Sequence, residues 1–122
     1  MSTDTEPNVK HAAVPMPVPR DPGEYMASTH LGMRLRERVP EHLRSRVIRE
    51  CIEEGVCRGT TPPRDLDDEF DIFQSFAFEK AIGHVEWRVI VGVRPRAFVD
   101  DDVKHVALTV YAKDILPLAE GA

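Results

Sequence analysis

With 122 residues, 42% of them hydrophobic and 30% charged, the chain has the size and make-up of one soluble globular domain with a single core, and is too short for two of ordinary size. A formal net charge of −5 speaks against a general nucleic-acid binder, which carries a basic excess to displace counterions from phosphate. No apolar run approaches membrane-spanning length and the amino terminus lacks a basic-then-apolar leader, so a cytoplasmic protein without a membrane partner is expected.

Residues 1–22 hold few large apolar side chains and finish in Pro15, Pro17, Pro19 and Pro22, which predicts a disordered, proline-rich tail ahead of a single domain at 23–118. From Pro22 or Gly23 to Glu37, the residues Tyr25, Met26, Leu31, Met33 and Leu35 predict a moderately amphipathic helix. His30, Arg34 and Arg38 follow one another at i, i+4 and i+8 along one side of it. Pro40 ends this helix and opens the next. That second helix, Pro40 to Glu54, has a clean stripe of Leu43, Val47, Ile48, Cys51 and Ile52, and Gly55 stops it. Arg44, Arg46, Arg49, Glu50, Glu53 and Glu54 lie away from the stripe and read as a solvated face. Cys51 falls on the stripe as a core thiol; with Cys57 it has neither zinc-finger nor thioredoxin spacing. Charge is unevenly spread: between Arg34 and Arg58 seven arginines outnumber five glutamates, while acid gathers at Asp65 to Asp71 and at Asp100 to Asp102.

Gly55 to Asp68 has the composition of an exposed connection, with room for a short strand at Val56 to Arg58. From Glu69 to Lys113 apolar side chains then recur at alternate positions in three runs. These are Phe70, Ile72, Phe76 and Phe78; Val85, Trp87, Val89, Val91 and Val93; and Val106, Leu108 and Val110. Gly83 and the loop Pro95 to Asp102 separate the runs, and short connections favour an antiparallel meander. The predicted fold is α+β, with two N-terminal helices packed on a three- to four-stranded antiparallel sheet. Strict alternation sends Glu86, Arg88, His105, Thr109, Tyr111 and Lys113 to the face opposite the helices.

His30-Leu-Gly-Met-Arg34-Leu-Arg-Glu-Arg38, the second helix ending in Glu54-Gly55, the strand Val89-Ile-Val-Gly-Val93 and the strand Leu108-Thr109-Val110-Tyr111 resemble the RelE/ParE-like toxin superfamily. The pattern, covering about Tyr25 to Asp114, is also similar to the small ribonucleases that include barnase and the colicin ribonuclease domains. The resemblance implies a metal-independent endoribonuclease without a cofactor, in many relatives the toxin of a toxin–antitoxin pair. RNA, free or ribosome-associated, would lie across the uncovered sheet face, and an antitoxin protein would be the partner.

Metal-free RNA cleavage needs a base for the 2′-hydroxyl proton, cations for the charged phosphorane and an acid for the leaving oxygen. Glu86, His105 and Tyr111 are the candidates for proton transfer, and Arg88 and Lys113 for holding phosphate. Thr109 joins them as a substrate-binding residue, as do His30 and Arg34 if the first helix borders that face. The same side chains also read as cross-strand ion pairs on an ordinary sheet surface, and the alternative function is a catalytically inactive protein-interaction module of the same fold. A metal centre at Asp100, Asp101, Asp102 and His105 is disfavoured, because adjacent aspartates do not make a coordination geometry. Glycine-rich phosphate loops, dinucleotide fingerprints and G-x-S-x-G elbows are absent from the sequence, which disfavours nucleotide-dependent and serine-hydrolase chemistry.

Overall fold

Gly83 and His84 close a two-residue hairpin between β3 (Gln74–Ile82) and β4 (Val85–Val93), with Gly83 at a φ of 69°, the left-handed conformation that glycine adopts without a Cβ clash. The turn fixes the register, and register decides which side chains meet. Phe76 and Phe78 of β3 therefore share a face with Val85, Trp87, Val89, Val91 and Val93 of β4. The computed structural model describes residues 18–60 and 74–115. Within them β5 (His105–Ile115) pairs antiparallel with β4, and β2 (Val56–Thr60) pairs antiparallel with β3.

A fifth strand, β1 (Tyr25–Ala27), lies parallel to β5 at the other edge, so the sheet is mixed and ordered β1-β5-β4-β3-β2. The sequence pattern predicts helix here. The chain departs from it because Ser28 is an N-cap: its hydroxyl oxygen accepts from the Leu31 N–H at 2.9 Å, so the helix starts only at the next residue. Helix α1 (Thr29–Arg38) and helix α2 (Arg44–Glu54) pack on one face of the sheet. Leu31, Val47, Cys51 and Ile52 are buried there against Phe78, Trp87, Val89 and Val110. The helix layer is as expected; the sheet has one strand more than predicted and one parallel pair. No helix among the described residues is long and apolar enough to cross a membrane.

The last residues of the expected tail, 18–22, are among the described residues and dock on the domain. Val18 is 3% exposed within the core, Tyr25 donates from its hydroxyl to the Pro19 carbonyl, and Arg20 lies over the Phe78 ring while donating to the Gly55 carbonyl. Residues 18–22 thus belong to the domain. The rest of the expected tail, Phe70 and Ile72, the acidic run at 65–71 and the predicted last residues 116–118 lie outside the described residues. Arg44 is not simply a solvated charge either. Its guanidinium donates to the carbonyls of Leu35, Arg36 and Val39 at the end of α1, where the Leu35 carbonyl also accepts from the Val39 N–H.

Strict alternation fails in β5. Ile90 pairs with Thr109 and Val91 with Ala107, so Leu108 is an extra residue without a partner on β4, a β-bulge. Val106 and Leu108, expected under the helices, lie instead with Ala77 and Ile90 in a second buried cluster on the opposite face, here called the back face. Ser28 links the two regions: while capping α1 it donates its hydroxyl to the Leu108 carbonyl at 3.0 Å. Replacement Ser28→Ala removes both bonds and is expected to lower the unfolding free energy by about 1–2 kcal/mol, read by chemical denaturation.

Candidate functional site

The hairpin register sets Glu79 of β3 opposite Arg88 of β4, and the β4–β5 register sets Arg88 opposite Tyr111. All three side chains lie on the back face, in one row across three strands. Glu79 is the centre of the row, its side chain only 2% exposed. Arg88 donates from Nε to Oε2 at 2.7 Å, and its second terminal nitrogen lies 2.6 Å from the same oxygen. Oε1 accepts from Arg58 Nε of β2 and from Lys113 Nζ of β5, each at 3.0 Å. The remaining Arg88 terminal nitrogen donates to the Tyr111 hydroxyl at 2.7 Å. Glu86 borders the group, 3.9 Å from Lys113 Nζ.

Burial alone would push the Glu79 carboxyl up. Hydrogen bonds from Lys113, Arg88 and Arg58, together with the Arg88 charge, outweigh it and hold the group below its ordinary value. Glu79 is therefore an ionised, saturated acceptor and a weak base. Three cations surround two carboxylates, so the cluster carries one positive charge in excess. Arg58 holds much of that excess outward, its side chain 59% exposed.

The sequence-predicted residues divide between the two faces. Arg88, Tyr111, Lys113 and Glu86 come together as expected. Thr109 lies on the same face beside Ile90 but is buried, at 7% exposure. His105 does not join them. The bulge at Leu108 reverses the alternation, so His105 points towards the helix side, its ring 5.5 Å from that of Tyr25. Its Nδ1 accepts from the Arg94 backbone N–H at 3.0 Å, and burial, with the Arg94 charge, pushes its pKa down. It is a neutral structural histidine. His30 and Arg34 ride on α1 in the helix layer, across the sheet from the cluster, and Arg34 pairs with Glu37. Neither reaches the back face.

Two residues of the cluster were not singled out by the sequence pattern, Glu79 and Arg58. The signal for Glu79 was present: a two-residue turn at Gly83 and His84 aligns position 79 with 88, on the face opposite Phe76 and Phe78. For Arg58 the sequence anticipates the short strand at Val56 to Arg58, but not its pairing with β3, which sets Arg58 against Ala77 beside Glu79. In the acidic loop, Asp100 accepts from the backbone N–H groups of Asp102 and Val103, so it closes its own turn; among the described residues no group of three His, Cys, Asp or Glu side chains is arranged to hold a metal. Set against known proteins, the chain matches no family model, no curated protein and no solved structure.

Two pH effects separate these groups. Glu79, with its pKa lowered on folding, contributes stability that is full above its ordinary value of 4.5 and lost as pH falls through the folded value. Glu79→Gln is expected to lower stability by about 2 kcal/mol at pH 7, and the gap to wild type should close in acid, measured by urea denaturation from pH 7 to 3. His105, also lowered, contributes stability that is full above its ordinary 6.5 and lost as pH falls below it. His105→Asn keeps an acceptor for the Arg94 N–H without a titrating ring; wild type should lose stability between pH 7 and 5 by an increment that this variant lacks.

Proposed function

We propose that the chain is a catalytically inactive protein-interaction module that takes an extended, acidic segment of a partner protein onto the edge strand β2. The observation that carries this reading is the commitment of His105 and Glu79, with Glu86 only bordering the cluster, 3.9 Å from Lys113 Nζ. His105 is buried on the helix side with its Nδ1 occupied, and Glu79 is an ionised carboxylate contacted by three cations. Neither is a competent general base at neutral pH. Recognition needs less. Among the described residues β2 is an outer strand of the sheet, with Val56 58% exposed and Arg58 projecting beyond its single bond to Glu79. An added strand would satisfy the outward backbone groups of β2, and Arg58 would select a carboxylate on it.

A RelE-like, metal-independent endoribonuclease with an antitoxin partner is the second reading, favoured by the gathering of Arg58, Arg88, Lys113 and Tyr111 on one patch with an excess of positive charge. Because the Tyr111 hydroxyl accepts from Arg88, its own proton is left for donation to a leaving oxygen. In that reading RNA phosphate would rest against Arg58 and Lys113.

One pair of measurements distinguishes them. In an NMR titration with an extended peptide alternating valine and glutamate, shifts should concentrate at Val56 to Thr60 and vanish in Arg58→Glu; no shift at β2 would overturn the module reading. Purified wild type and Tyr111→Phe should both leave a labelled RNA intact. Cleavage by wild type that the variant loses would establish the nuclease instead.

A further inference from the structure

On the helix side, a cleft of about 460 Å3 opens between the connection from α1 to α2 and the β3–β4 turn. Leu43, Ile82, Val85 and Trp87 give it an apolar wall. Its polar lining is of one kind: Arg38, His42 and His84, with no carboxylate among the lining residues. Ligand sites have this build, with an apolar body and a few placed polar groups, in this range of volume.

A second feature singles out this cleft. Trp87 is 3% exposed, and its indole Nε1–H is buried without a hydrogen-bond partner among the described residues. Buried donors are nearly always paired, so an unpaired one on a residue that lines a cavity sets that region apart from the rest of the core. Arg38 donates to the Val110 carbonyl from one terminal nitrogen, which anchors the guanidinium and leaves its other donors for a guest.

We propose that this cleft binds a small monocarboxylate with an apolar body, such as a medium-chain fatty acid or an arylalkanoic acid. The hydrocarbon part lies against Leu43, Ile82, Val85 and the Trp87 ring, and the carboxylate is held by Arg38 and the two histidines. The choice of an anion follows from the lining: the Arg38 guanidinium and two imidazoles line the cleft, with no carboxylate among the described lining residues. A neutral ligand would leave the Arg38 donors unused, and an ammonium would meet like charge. The cleft lies across the sheet from the Glu79 cluster, so this inference does not rest on the partner assigned to β2.

Trp87 is the only tryptophan of the sequence, which makes its emission a direct reporter. Full-length protein is titrated with octanoate, 1-octanol and octylamine at matched concentrations, following fluorescence and heat by calorimetry. Octanoate should bind saturably at one site and shift the Trp87 emission, with octanol roughly tenfold weaker and octylamine weaker still. In Arg38→Gln the octanoate affinity should fall to that of octanol while octanol binding is unchanged. Calorimetry on Trp87→Phe should show octanoate and octanol weakened alike, through loss of ring contact with the hydrocarbon part. Equal affinity for octanoate and octanol in wild type, preference for the amine, or heat without saturation in all three titrations would each overturn the proposal.

Discussion

The pairing of β5 with β4 takes in two more residues than β4 supplies, Leu108 and Lys113, and the position of the first governs the rest of the molecule. Leu108 has no partner on β4, so the side chains before it and after it exchange faces. Val106 and Leu108 go to the back face, where they close a small buried cluster with Ala77 and Ile90, while Val110 returns to the main core beside Val89. The same reversal carries His105 towards the helices and leaves Tyr111 with Arg88. One inserted residue thus separates a titratable imidazole from the cations with which simple alternation would have grouped it. Ser28 ties this irregularity to the start of α1, so the strand and helix layers are joined at the point where the strand is least regular.

Beyond the bulge the back face is electrostatic. A carboxylate with 2% exposure would be costly alone; here Arg58, Arg88 and Lys113, drawn from three strands, occupy both of its oxygens. Such a cluster sets geometry more than it adds net stability, because desolvation consumes much of the attraction between the charges. Its geometric content is specific: β2, β4 and β5 must stand in one register relative to β3 for all three cations to arrive. Saturation also lowers the chemical ambition of the site. A carboxylate held ionised by this many donors neither takes up a proton near neutrality nor frees its cations to follow a developing charge. What it leaves is an ordered surface with one outward positive charge at the edge of the sheet, which suits recognition.

The two faces consequently offer different chemistry. At β2, an outer strand among the described residues, Val56 and Arg58 are exposed; on the helix side, the Trp87 cleft joins an apolar wall to Arg38, His42 and His84. A sheet of five strands stands between them, and its central strands β3, β4 and β5 are packed on both sides.

Much of this was legible in the residues themselves. The stripe Leu43, Val47, Ile48, Cys51 and Ile52 defined α2, and the alternation in β3 and β4 together with Gly83 defined a hairpin whose register already set Glu79 against Arg88. These features are local, written in periods of 3.6 and 2 and in one glycine, and local patterns survive folding when a single face is buried. The exchange of faces at Leu108, the parallel pairing of Tyr25 to Ala27 with β5, the docking of Val18 and Arg20, and the arrival of Arg58 at Glu79 were settled only by tertiary structure. Each joins segments distant in the chain, and no residue alone records which carbonyl or carboxylate it will meet.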